Sequence, residues 1–89
     1  MFYLHLNAQN KVDVIIVGGG AGGTSAAIQA ARTGVEVQLL EKTNWLGGML
    51  TSAGVSAIDG NHQMPSGIWG EFRQKLYAHY GGPKAVATG

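Results

Sequence analysis

Three glycines in the stretch "VDVIIVGGGAGGTSAAIQAARTG" have the spacing G-x-G-x-x-G. In this pattern the first glycine permits a tight turn, the second lets the backbone approach a pyrophosphate, and the third lets a helix pack closely on a strand. Backbone N–H groups at the start of a helix point toward phosphate oxygens, and the helix dipole favours their negative charge. The spacing therefore predicts a phosphate-binding turn formed by Gly18, Gly20, Ala21, Gly22 and Gly23.

An acidic residue follows the glycine motif at about the 20-residue offset of a ribose-binding carboxylate. This residue is Glu41, and Lys42 comes directly after it. A carboxylate here accepts hydrogen bonds from the ribose hydroxyls and repels a 2′-phosphate, which disfavours NADP. Lys42 could offset part of the ligand charge or flank the ribose. The alternatives are a solvated carboxylate at a strand end and a solvated surface lysine.

The elements that must position these residues can be predicted from the surrounding pattern. Residues 12–17 are mostly β-branched, which is typical of a strand buried on both faces of a parallel sheet. Residues 21–33 are alanine-rich and predict a helix, with Gly34 at its C-terminal end. Residues 35–41 predict a second strand, and a helical crossover makes the two strands parallel. The sequence thus predicts a βαβ unit of the α/β class.

The second half of the chain predicts a loop region and an amphipathic helix. Residues 42–67 are rich in Gly, Ser, Thr and Asn, with a short helical turn around residues 49–53. Apolar residues then recur every four positions, and we assign them to core packing. This stripe consists of Ile68, Phe72, Leu76 and Tyr80, and the helix is expected to end at residues 81–83.

Composition excludes several classes of function. The 89 residues carry a net charge of +1, with basic residues spread singly, so no nucleic-acid footprint is present. The absence of cysteine excludes disulfides and thiolate metal sites. No apolar run approaches the roughly 20 residues that span a bilayer.

Residues 1–10, "MFYLHLNAQN", are treated separately from the domain at residues 11–89. They read either as a disordered N-terminal extension or as the remnant of a secretory signal. The compartment therefore stays open, cytoplasmic by default and exported or periplasmic if the signal interpretation holds.

A second glycine pair, Gly47 and Gly48, lies in "EKTNWLGGMLTSAG". With it, the sequence resembles the FAD-dependent oxidoreductases that have a glutathione-reductase-like Rossmann domain. The helix "SGIWGEFRQKLYAHYGG" at residues 66–82 extends the resemblance over nearly all of residues 11–82. The resemblance implies that FAD is the cofactor and that the glycine pair lies next to the flavin pyrophosphate.

One position departs from this family. Many relatives have an arginine after the glycine pair, where this chain has Met49. The resemblance then implies that backbone N–H groups and the hydroxyls of Thr51 or Ser52 contact the pyrophosphate. The alternatives are a flexible loop at the glycine pair and helix-capping roles for the hydroxyls. The residues around His62 do not resemble a covalent flavin-attachment motif, so we interpret His62 as a loop histidine.

We interpret the chain as the N-terminal FAD-binding portion of a flavin-dependent oxidoreductase, which binds the ADP half of FAD. No catalytic residue can be named. A two-stranded parallel sheet leaves edges and faces uncovered, which predicts a fragment of a larger domain that is inactive alone. The substrate is unknown, and the site is completed by the rest of a longer chain or by a partner subunit. The alternative is an NAD-binding or non-catalytic nucleotide-binding module that works with a partner chain.

Overall fold

The computed structural model describes residues 11–58, 60 and 63–86. The predicted N-terminal extension and His62 lie outside these residues. The chain divides into two compact units, Met1–Val55 and Ser56–Gly89.

The first unit contains the predicted βαβ arrangement. Strand β1 (Val14–Val17), helix α1 (Ala21–Arg32) and strand β2 (Val37–Leu40) follow one another, and the strands pair in parallel. Val14 lies opposite Val37 at one end of the pair, and Val17 lies opposite Leu40 at the other. The prediction of an α/β unit with a parallel sheet is confirmed.

Both strands begin two residues later than predicted, because the residues before them are bonded to each other. The backbone N–H of Asp13 donates to the carbonyl of Glu36 at 3.0 Å. In return, the backbone N–H of Glu36 donates to Asp13 Oδ2 at 2.9 Å. We call this reciprocal pair the Asp13–Glu36 clasp. A side chain replaces a backbone acceptor there, so the regular ladder begins only after it.

Helix α1 ends one residue earlier than predicted. The Thr33 hydroxyl donates to the Ala30 carbonyl at 2.6 Å, and the Gly34 N–H donates to the Ala31 carbonyl at 3.0 Å. Gly34 has φ +93°, a conformation that glycine adopts at little cost. The prediction that Gly34 ends this helix is confirmed.

The prediction that β1 is buried on both faces is wrong. Helix α1 packs on the face that carries Ile16, which is half-buried. On the opposite face, Ile15 is 59% exposed and Val17 is 79% exposed. Within the described part of the first unit, a single helix packs against the sheet, so one face of β1 stays open.

The loop after β2 contains a 3₁₀ turn at Gly48–Leu50, slightly earlier than the predicted helical turn. Its backbone is fixed by hydrogen bonds from Ala53 N–H to the Gly48 carbonyl at 3.2 Å and from Val55 N–H to the Met49 carbonyl at 2.9 Å. The loop is thus ordered by its own backbone.

The second unit contains helix α2 (Gly67–Tyr80) and a 3₁₀ turn at Pro83–Ala85. The N–H groups of Gly81 and Gly82 both donate to the Tyr77 carbonyl, and Gly81 has φ +92°, so α2 ends as predicted. Three residues of the apolar stripe are half-buried. Tyr80 is 58% exposed and packs edge-on against His79, so its assignment to the core is wrong. Neither described helix is long and apolar enough to cross a membrane.

Candidate functional site

The turn between β1 and α1 has the geometry that the glycine spacing predicts. The N–H of Gly18 donates to the Leu40 carbonyl at 2.8 Å, so Gly18 still pairs with the neighbouring strand. Its φ of +98° then turns the chain, in a region where a side chain is strained. A Cβ on Gly23 would lie 1.8 Å from the Gly18 carbonyl oxygen. Glycine at position 23 is therefore required for α1 to begin directly over the turn.

The start of α1 faces open space. Gly20 is the N-cap residue, and no side chain caps the helix there. A Cβ on Gly20 or on Gly22 would meet no atom within 4 Å, and Ala21 is exposed. The N–H groups of the first helical turn have no intrahelical acceptor. The helix start can therefore receive an anion at close range.

Gly19 connects the turn to the rest of the site. Its N–H donates to Glu41 Oε1 at 2.8 Å. Its carbonyl accepts the Gly47 N–H at 2.8 Å and the Thr24 hydroxyl at 3.0 Å. Gly19 is buried, and a Cβ there would lie 2.6 Å from Leu46 Cδ2. The sequence analysis missed Gly19, although a third glycine in the run "GGG" was an available signal.

The carboxylate of Glu41 is held on both oxygens. Oε1 accepts the Gly19 N–H, while Oε2 accepts the Thr43 N–H at 2.8 Å and the Thr43 hydroxyl at 2.5 Å. The Thr43 hydroxyl, the Gly19 and Thr43 N–H groups and the charge of Lys42 lower the pKa of Glu41 from 4.5 to about 2. Glu41 is therefore ionised at neutral pH. Thr43 was also missed, and its signal was a hydroxyl residue two positions after an acid at a strand end.

The lowered pKa of Glu41 predicts how the carboxylate affects stability with pH. A depressed folded-state pKa contributes stability that is fully present above 4.5 and is lost as the pH falls toward about 2. We expect the urea midpoints of the wild type and Glu41→Gln to differ by a constant amount above about pH 5 and to converge below it. A difference that stays constant down to about pH 3 would contradict the assigned pKa.

The second glycine pair lies directly against the first glycine turn. Gly47 has φ +109° and Gly48 has φ +61°, and both values favour glycine. A Cβ on Gly48 would lie 3.0 Å from Gly20 Cα. The two glycine motifs are therefore in contact with each other, and Gly47 and Gly48 are part of an ordered loop.

The remaining predicted ligands lie around this loop. The Thr51 hydroxyl donates to the Leu46 carbonyl at 2.6 Å, and the Ser52 hydroxyl is 3.3 Å from the Gly48 carbonyl oxygen. Both hydroxyls thus stabilise the loop, and their contact with a phosphate stays a prediction. Lys42 is exposed and Met49 is 65% exposed, and their contacts with a ligand also stay predictions.

The arrangement can bind an anion beside a hydroxyl-bearing group. Backbone N–H groups and the positive end of α1 suit a phosphate, and the Glu41 carboxylate suits hydroxyl donors. Among residues 11–58, 60 and 63–86, no three His, Asp or Glu side chains come together as metal ligands.

Comparison with known proteins decides the family. The model of the FAD dependent oxidoreductase family matches residues 13–88. The chain belongs to this family. The match includes both glycine motifs, Glu41 and helix α2, so the resemblance predicted from the sequence is confirmed.

Several curated proteins match part of the chain. A 4-oxocyclohexanecarboxylate 2-dehydrogenase of Sinomonas cyclohexanicum is 43% identical over 70% of this chain and 11% of its own length. A digoxin reductase of Eggerthella lenta is 42% identical over 64% of this chain and 9% of its own length. A dihydrolipoyl dehydrogenase of Trypanosoma brucei brucei is 47% identical over 51% of this chain and 9% of its own length.

The chain thus spans about a tenth of the length of the curated relatives it matches. No solved structure shows a significant match.

Proposed function

We propose that this chain binds the ADP half of FAD in a flavin-dependent oxidoreductase. The observation that carries the proposal is the hydrogen bond of 2.8 Å between the Gly19 N–H and Glu41 Oε1. This bond holds the Glu41 carboxylate, which can accept hydrogen bonds from ribose hydroxyls, against the turn that precedes α1. The N–H groups at the start of α1 can bind a phosphate. Phosphate and ribose are adjacent in an adenine dinucleotide, so adjacent receptors for both favour this ligand class.

The residues present fit the ADP half of FAD. Gly20 and Gly22 leave room for a ligand at the start of α1, because a side-chain carbon there would meet nothing within 4 Å. The first-turn N–H groups would hold the pyrophosphate, and Glu41 would hold the ribose. When bound, the flavin supplies hydride or electron transfer, while these residues bind and orient its ADP portion.

The second glycine pair supports FAD over NAD. Gly48 approaches Gly20 so closely that a Cβ would be 3.0 Å from Gly20 Cα, so a second stretch of backbone lies beside the start of α1, where the phosphate would bind. Family membership over residues 13–88 supports the same choice. Lys42, Met49 and Thr51 remain candidate contacts in this proposal, and the substrate is not assigned.

The test uses the full-length protein, purified with its flavin and then stripped of it. We expect the purified protein to be yellow and Glu41→Gln to weaken FAD binding roughly tenfold to a hundredfold, because hydrogen bonds to a charged acceptor are lost. Quenching of flavin fluorescence measures the dissociation constant. Glu36→Gln is the matched control, because Glu36 is exposed and lies at the opposite end of β2.

Two results would overturn the proposal. An unchanged dissociation constant in Glu41→Gln would remove the ribose role of Glu41. A protein that carries no flavin and binds NAD instead would show that the second glycine pair has been misinterpreted.

A further inference from the structure

We propose that Thr43 is a positioning residue that orients the Glu41 carboxylate toward a vicinal diol of the ligand. This inference rests on the proposed function, because the diol is that of the adenosine ribose. It concerns how the ribose is recognised, and it assigns a role to a residue outside both glycine motifs.

The first step is the geometry of the carboxylate. Thr43 donates to Oε2 through both its N–H, at 2.8 Å, and its hydroxyl, at 2.5 Å. Gly19 donates to the other oxygen, Oε1, at 2.8 Å. Donors on both oxygens fix the plane of the carboxylate, and two of the three donors belong to Thr43. Thr43 therefore determines the direction in which the free lone pair of Glu41 points.

The second step is the number of acceptor positions. An ionised carboxylate offers about four lone-pair positions. Three protein donors occupy three of them, so one position on Oε1 remains for a ligand hydroxyl. One hydroxyl of a vicinal diol can take this position.

The charges around the carboxylate are compatible with this role. Lys42 is the charged group that acts on Glu41, and its effect is smaller than that of the hydrogen bonds from Thr43 and Gly19. The ionisation of Glu41 thus depends mainly on its hydrogen bonds with Thr43 and Gly19. Removing the Thr43 hydroxyl raises the pKa of Glu41 toward its ordinary range.

The experiment compares ADP with 2′,3′-dideoxy-ADP on the full-length apoprotein, by competition with FAD. We expect Thr43→Val to weaken ADP roughly threefold to tenfold, because the carboxylate loses one of the three donors that fix its plane, and to leave dideoxy-ADP unchanged. Thr43→Ser should retain wild-type affinity for both. Thr33→Val is the matched control, because Thr33 also donates its hydroxyl to a carbonyl but at the far end of α1. Thr43→Ala provides a second deletion of the hydroxyl.

A second readout separates positioning from general stability. The ratio of ADP affinity to dideoxy-ADP affinity cancels the titration of the phosphate. As the pH is lowered below about 5, this ratio should begin to fall at a higher pH in Thr43→Val than in the wild type, because loss of the Thr43 hydroxyl raises the pKa of Glu41. Equal weakening of ADP and dideoxy-ADP, or a ratio with the same pH dependence in both proteins, would overturn the proposal.

A failure of the proposed function gives a different result. If the wild type bound ADP and dideoxy-ADP equally well, ribose recognition by Glu41 would fail and the role of Thr43 would fail with it. If the wild type discriminated between them and both Thr43 deletions discriminated equally well, only the role of Thr43 would be overturned.

Discussion

Gly23→Ala is expected to lower the free energy of unfolding of the βαβ unit by more than about 3 kcal/mol and to abolish flavin binding. The added methyl group would lie 1.8 Å from the Gly18 carbonyl oxygen, which is backbone and cannot rotate away. Either α1 must move off the turn or the turn must open, and each change displaces the N–H groups that we propose bind the phosphate. Thermal unfolding of the full-length apoprotein and its flavin content measure the two effects.

Gly22→Ala is the matched control for stability. Gly22 is the preceding residue of the same helical turn, and a methyl group there would meet nothing within 4 Å. Alanine is favoured over glycine in a helix by roughly 1 kcal/mol, so this variant should be as stable as the wild type or slightly more stable. If both variants lost stability equally, the close contact between Gly23 and Gly18 could not be the cause.

The 89-residue polypeptide alone is expected to bind FAD at least about a hundredfold more weakly than the full-length protein and to show no oxidoreductase activity. The proposed site would contact one end of a dinucleotide, whereas Rossmann-type ligands lie in a crevice between two halves of a sheet. The chain also spans about a tenth of the length of its relatives. Titration with FAD, monitored by flavin fluorescence, compares the two proteins.

The same polypeptide should also expose apolar surface. Ile15 and Val17 form an open apolar face on β1, with 59% and 79% of their surface exposed. We expect this face to bind a hydrophobic dye and to promote association at high concentration. Equal FAD affinity in the short and the full-length proteins, or a short polypeptide that binds no dye, would contradict these expectations.

Local patterns were sufficient to predict most of the fold. The positions of Gly23, Gly34 and Gly81 each reflect a requirement of the backbone at that point, so the turn and both helix ends could be predicted without knowledge of the tertiary structure. The parallel pairing followed from the length of the crossover. Such features depend on neighbours in the chain, which the sequence displays directly.

Features that depend on contacts between distant residues were missed. The bond between Gly19 and Glu41 joins residues 22 positions apart, and the Asp13–Glu36 clasp joins residues 23 positions apart. The exposure of Ile15 and Tyr80 likewise depends on what packs against each face, which apolar periodicity does not specify. Thr43 was overlooked because its partner is close in sequence but belongs to no phosphate-binding motif.

The Asp13–Glu36 clasp fixes the register of the two strands. It aligns the beginnings of β1 and β2, and the pairing then continues in step to Val17 and Leu40. Each strand residue advances the chain by roughly 3.3 Å and reverses the side on which its side chain lies. One residue inserted into β2 would therefore carry the acidic group past the turn, one deleted would leave it short, and either would put it on the wrong side. The number of residues between the clasp and Glu41 thus matters as much to the proposed ribose site as the carboxylate itself.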